Sequence, residues 1–212
     1  MERRTLIGET IEFLREYSPE ILEDLKVRFP EDSKIISLGT PAGDDIPLNF
    51  AVDATLGAMK TALEESEKHR KKIEENLKRA KKYKITAQVI TIISNSSLFL
   101  LIANNWYNFG YVMNSLALVG VILPMITEYF TYTLHPENKD LFQLYIELIG
   151  LQSKAELIDR DLTLCKEAQY PELCNGIPTR DLVREGNVLS QQLRNILRQI
   201  GVQLTALSWR KK

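Results

Sequence analysis

Hydrophobic positions along this chain follow two different rules, and the contrast between them organises everything else. In the carboxy-terminal third, Leu141, Leu144, Leu148, Leu151, Ala155, Ile158, Leu162 and Cys165 recur at alternating steps of three and four. That spacing is the seam of a coiled coil or helical bundle. Leu56, Met59, Leu63, Ser66, Arg70, Ile73, Leu77 and Ala80 keep the same steps, with Ser66 and Arg70 weakening the middle and Asp53 placed to cap the start. Leu182, Gly186, Leu189, Leu193, Ile196, Ile200, Gln203 and Leu207 make a third such series. Three helices with matching seams can pack within one chain or pair between subunits.

The second rule governs the middle. Between Lys84 and Glu128 lie 43 residues without Asp, Glu, Lys, Arg or His. Ile85 to Asn104 supplies 20 residues, which at ~1.5 Å each match a ~30 Å hydrocarbon layer. Tyr111 to Thr127 supplies another 17, and an aromatic turn around Trp106 and Gly110 joins them. The fold class this implies is an all-α membrane protein, a two-helix transmembrane hairpin above a cytoplasmic helical bundle or coiled coil. The competing expectation is that both apolar helices form the core of a soluble bundle, but neither shows the polar stripe such helices carry.

Boundaries follow from breakers. Leu6, Ile7, Ile11 and Leu14 predict a short helix, and Ser18-Pro19-Glu20 starts another over Ile21 to Phe29, since Pro is tolerated at the first helical position. Ser37 to Asp45 reads as a loop, and Tyr170 to Pro178, with two prolines and an Asn-Gly turn, as another. Pro136 sits where a helix can begin. The chain thus divides into short helices and a loop over 1–52, open to a regulatory role; a basic amphipathic helix over 53–84; a hairpin over 85–130, with spans 85–104 and 111–127; and a helical hairpin over 136–212.

Charge orients this picture. Overall composition is ordinary, 44% hydrophobic and 26% charged with net charge −1, but nine Lys or Arg crowd Lys68 to Lys84 and none lies in the turn. Under the positive-inside rule Lys78, Arg79, Lys81, Lys82 and Lys84 meet lipid headgroups from the cytoplasm, with both termini on that side of a bacterial inner membrane. Acidic residues interrupt the first ten positions and no small-residue cleavage site follows, so no signal peptide is expected.

Chemistry is sparse. Gln88, Thr91 and Asn95 fall within about 60° on a helical wheel, a polar stripe that lines a pore or bonds a neighbouring helix. Ala117, Gly120, Pro124 and Thr127 share a small-residue face, with Gly120 and Pro124 as packing or hinge positions. Glu128, Glu137 and Asp140 form an acidic ring only if several subunits surround an axis. The Ser37 to Asp45 loop has glycines but no Walker lysine. His69 and His135 have no catalytic partner at a recognisable spacing. Cys165 and Cys174 match neither a zinc pattern nor a disulfide framework, so reduced thiols are expected, with Cys165 closing its seam as a small apolar residue. No catalytic residue, cofactor, metal or nucleic-acid site emerges.

With its basic helix Lys78-Arg79-Ala80-Lys81-Lys82-Tyr83-Lys84, the hairpin and the Leu141 to Cys165 helix, the chain resembles the SLATT group of two-transmembrane proteins from bacterial conflict and antiviral systems. The resemblance covers Asp53 to Leu207 and is one of architecture. It implies a homo-oligomeric membrane effector in the bilayer, forming a pore or disrupting the inner membrane when an upstream sensor protein is triggered. It brings no catalytic residues. The residues themselves leave a second expectation open, a non-enzymatic, membrane-anchored helical adaptor recruiting cytosolic partners through the Leu141 to Leu207 bundle, whose oligomer or bundle seam is Leu141, Leu144, Leu148, Leu151, Ile158 and Leu162.

Overall fold

The computed structural model describes residues 6–31, 46–103, 112, 115, 118–122 and 141–208, with side chains over the same residues except 80, 94–103 and 206–208. Helix α1 spans Gly8–Tyr17 and α2 Pro19–Arg28. The break between them is local. Pro19 takes the first position of α2, where its missing N–H costs nothing, while the Ser18 N–H still closes onto the Leu14 carbonyl at 2.8 Å. The Ser18 hydroxyl does not cap α2; it accepts a 3.0 Å hydrogen bond from Thr61 Oγ1.

Helix α3 runs Leu48–Ala103, α4 Leu141–Glu167 and α5 Thr179–Ser208. Because α3 begins at Leu48, Asp53 lies in its second turn and not at its cap, a correction whose chemistry is taken up below. The breaker-rich connection between α4 and α5 is a two-stranded antiparallel ribbon, β1 Leu173–Cys174 and β2 Ile177–Pro178, with Cys174 paired to Ile177. Asn175 and Gly176 form its turn with φ of 52° and 81°, the doubly left-handed geometry that two-residue hairpins prefer. Among the described residues the fold is therefore helical with one small ribbon.

Two compact units emerge, one of Met1–Arg70 with Leu144–Val202, the other of Lys71–Gln143 with Gln203–Lys212. In the first, the α4 seam is buried from Leu144 to Cys165, and Leu182, Leu189, Leu193, Ile196 and Ile200 of α5 are buried with it. Ile11, Phe13 and Leu14 of α1 join the same core. The Asn187 side-chain oxygen accepts from both the Thr10 N–H (2.9 Å) and its hydroxyl (3.2 Å), and Arg194 and Arg198 of α5 pair with Glu9 and Glu16 of α1. At Gly186 a Cβ would stand 2.3 Å from Thr55 Cγ2 and 3.6 Å from Ile158 Cγ2, so α5 meets α3 and α4 where only glycine fits.

In the second unit α3 continues past Lys84 without a break. No helix among the described residues is long and apolar enough to cross a membrane. This corrects the expectation of an all-α membrane protein with a transmembrane hairpin, and with it the multi-pass inner-membrane localisation and the pore. The described side chains of the first span, 85–93, rise about 14 Å, half a hydrocarbon layer. They include the exposed Thr86 and Gln88, and the half-buried Thr91. Most of the second span, the turn at Trp106, Pro124 and the Glu128, Glu137 and Asp140 positions lie outside the described residues, as do the Ser37 to Asp45 loop and Pro136.

Candidate interaction surface

Helix α4 carries two apolar stripes. One is the buried seam. The other consists of Ile146, Ile149, Leu157 and Leu164, which are 55%, 38%, 50% and 43% exposed. At 100° per residue these four, with Ser153 and Arg160 between them, fall within about 80° of one another and point directly away from the seam. Their steps of three and four are those of a coiled-coil interface. The row is periodic but broken by the polar Ser153 and Arg160. Lys154 and Glu156, both exposed, flank the row on opposite edges.

The carboxy-terminal end of α4 is held by an ion cluster built on one buried carboxylate, with its cations reaching in from the surface. The Asp53 side chain, 3% exposed, receives Arg28 Nη1 on Oδ2 at 2.6 Å and Lys166 Nζ on Oδ1 at 2.8 Å. The Tyr170 hydroxyl donates to Oδ1 at 3.2 Å. One carboxylate of α3 thus ties down α2, the last turn of α4 and the loop beyond it. Burying a carboxylate is costly unless it is paired and hydrogen-bonded, and here both conditions hold. Arg28 also reaches Asp24, through Nη2 at 2.8 Å. Burial, then the Asp53 charge beside it, raises the Tyr170 phenol above its ordinary value, which keeps the hydroxyl protonated as a donor. A cavity of about 300 Å³ adjoins the cluster, lined by Ile21, Leu56, Gly57, Lys60 and Thr163 as well as the charged groups. Two of its three cations are engaged by Asp53, which makes the cluster a structural lock.

Cys165 and Cys174 are joined in a disulfide with Cα atoms 5.7 Å apart. This corrects the expectation of reduced thiols: nine residues of separation reveal nothing until the ribbon folds Cys174 back over the last turn of α4.

The sequence-selected residues fall as follows. Leu141, Leu144, Leu148, Leu151, Ile158 and Leu162 are buried. Lys78, Arg79, Lys81, Lys82 and Lys84 are exposed along α3. Gln88 is exposed, and Thr91 Oγ1 donates to the Ala87 carbonyl of its own helix at 2.9 Å. Gly120 is buried against that same turn, where a Cβ would come 2.3 Å from Thr91 Oγ1 and 3.2 Å from the Ala87 carbonyl oxygen. The Asn95 side chain and Pro124 lie outside the described residues. His69 Nδ1 lies 2.9 Å from the Glu65 carbonyl. Among the described residues no cluster of His, Cys, Asp or Glu is arranged to hold a metal.

Two features escaped the sequence reading. The outward stripe of α4 was legible in the same heptads, two to three positions out of phase with the seam, but the stronger leucine series masked it. The Asp53 cluster was not, because its partners stand 25, 113 and 117 residues away. No family model, curated protein or solved structure matches the chain, so its function is read from its own residues.

Proposed function

We propose that this protein is a non-enzymatic helical scaffold that self-associates through the outward stripe of α4, holding two copies of its bundle together as a platform for protein partners. The observation that carries this reading is the second stripe itself, a coiled-coil row displayed on the face opposite the core. A second copy is the occupant it fits best. An identical row has the matching spacing, and a two-fold pairing is self-complementary. Charge selects the direction. In a parallel pair each Lys154 faces the Glu156 of the other copy, whereas an antiparallel pair centred on the stripe sets lysine beside lysine and glutamate beside glutamate.

Light scattering on the full chain tests it. The wild type is expected at twice its chain mass of 24.3 kDa at tens of micromolar. Ile149→Glu with Leu157→Glu is expected at the single mass, with circular dichroism unchanged and a Tm that no longer rises with protein concentration. A wild type that stays monomeric throughout a concentration series contradicts the reading. So does a monomer that floats with vesicles containing anionic phospholipid, which would assign the stripe to lipid.

A further inference from the structure

We infer that the Cys165–Cys174 disulfide is a redox-sensitive clasp that holds Tyr170 on Asp53, and that its reduction withdraws Tyr170 from the ion cluster. The loop it closes holds an unusual backbone. Gln169 and Tyr170, neither of them glycine, have φ of 61° and 60°, a left-handed conformation that L side chains adopt only where the surroundings enforce it. Part of it is the ordinary closure of the end of α4, with bonds running back to its last turn, and part comes from the anchored ends of the loop. Cys165 belongs to the buried seam of α4, and Cys174 is drawn under the ribbon. Between them the Tyr170 N–H bonds the Cys165 carbonyl at 2.8 Å, and the Gln169 N–H the Lys166 carbonyl at 3.1 Å. That double reversal aims the Tyr170 ring back at α3, where its hydroxyl meets Asp53 Oδ1.

Among the described residues the loop is tied elsewhere only at Thr179, where its N–H meets the Glu172 carbonyl at 2.9 Å and its hydroxyl donates to the Pro171 carbonyl, and by the ribbon itself. A ribbon of two residues per strand is marginal by itself, and its Leu173 and Ile177 are 62% and 44% exposed. Opening of this surface ribbon uncovers Cys174 to a dithiol reductant. The reductant's thiolate attacks Cys174 Sγ, the bond to Cys165 Sγ breaks, and Cys165 leaves as a thiolate that takes up a proton. The reductant's second thiol then resolves the mixed disulfide and releases Cys174 as a thiol. Two electrons pass from the dithiol, which is itself oxidised to a disulfide. Untethered, the loop draws the Tyr170 ring away from α3, and Asp53 keeps Arg28 and Lys166 but loses its third partner. The inference is independent of self-association.

The test is a redox cycle on the full chain, with Tyr170→Phe as the probe. Tyr170→Phe is expected to lower the Tm of the oxidised protein and leave that of the dithiothreitol-reduced, alkylated protein unchanged. An equal effect in both states overturns the clasp, because Tyr170 would then hold Asp53 without it. Hydrogen exchange gives the second readout. Amides 168–178 are expected to exchange at least tenfold faster after reduction while those of α1 keep their rates, and identical rates in the two states overturn the inference. So does the recovery of two free thiols from air-oxidised protein.

Discussion

The inner and outer faces of α4 both carry large apolar side chains at steps of three and four, yet they face different futures. The inner row from Leu144 to Cys165 is buried, its side chains at most 8% exposed, with α3 and α5 meeting it at Gly186. The outer row, Ile146, Ile149, Leu157 and Leu164, keeps 38% to 55% of each side chain in solvent. Apolar spacing alone does not say which row is core. The distinction comes from what the rest of the chain supplies: Gly186 to let α5 come close, Asp53 to hold the last turn of α4, and a disulfide to tie that turn to the ribbon. A helix that is apolar on two sides can bury one side within its own chain and offer the other to a second.

The largest expected effect breaks the inner face. Leu148→Ala removes a fully buried side chain and should cost about 2–5 kcal/mol in chemical denaturation, through lost transfer energy and the cavity left behind. Cys174→Ser, which opens the loop at the end of the same row, should cost about 2–3 kcal/mol in the same assay. Gly186→Ala forces a Cβ against Thr55 and toward Ile158, and a loss of about 1–3 kcal/mol is expected from overpacking. Leu157→Ala, on the outer face, should change denaturation by less than about 0.5 kcal/mol while weakening the dimer on dilution. Equal destabilisation by Leu148→Ala and Leu157→Ala would erase the difference between the faces.

A pH scan sharpens the same comparison with a smaller effect. Burial, then the neighbouring Glu16 charge, raises the Tyr17 phenol to about 12 from its ordinary 10. Between those two values the folded chain holds a proton that the unfolded chain has released, so stability falls as pH rises from about 10 to 12. Tyr17→Phe should flatten that alkaline slope in thermal melts. The outer row has Arg160 as its only ionisable member among the described residues, so dimer mass in the variant should follow that of the wild type at each pH.

The helices were largely legible in the sequence. The seams at Leu141 to Cys165 and Leu182 to Ile200 name their own periodicity, and Ser18-Pro19 and Asn175-Gly176 mark real breaks, because caps and turns are decided by neighbours in sequence. Asp53 reads as a cap because a carboxylate before an apolar run fits that role locally, while its partners in the fold, Arg28, Lys166 and Tyr170, meet it only after folding. The hairpin expectation failed for a related reason. A long uncharged stretch counts residue types, whereas the described part of that stretch continues a charged helix and has Gln88 exposed and Thr91 bonded to its own backbone. The disulfide and the outward stripe required three dimensions in the same way: one pairs residues across a fold-back, and the other is visible only once the core face is known.

The most direct test of the central claim is a cross-link at Ser153, an exposed residue midway along the outer row. In a parallel two-fold pair Ser153 stands opposite its own copy, and both native cysteines are already joined to each other. Ser153→Cys should therefore convert to a covalent dimer under mild oxidation, seen as a doubled mass on denaturing, non-reducing electrophoresis and reversed by dithiothreitol. A Ser153→Cys protein that remains at single mass with its new thiol fully open to alkylation would contradict the account.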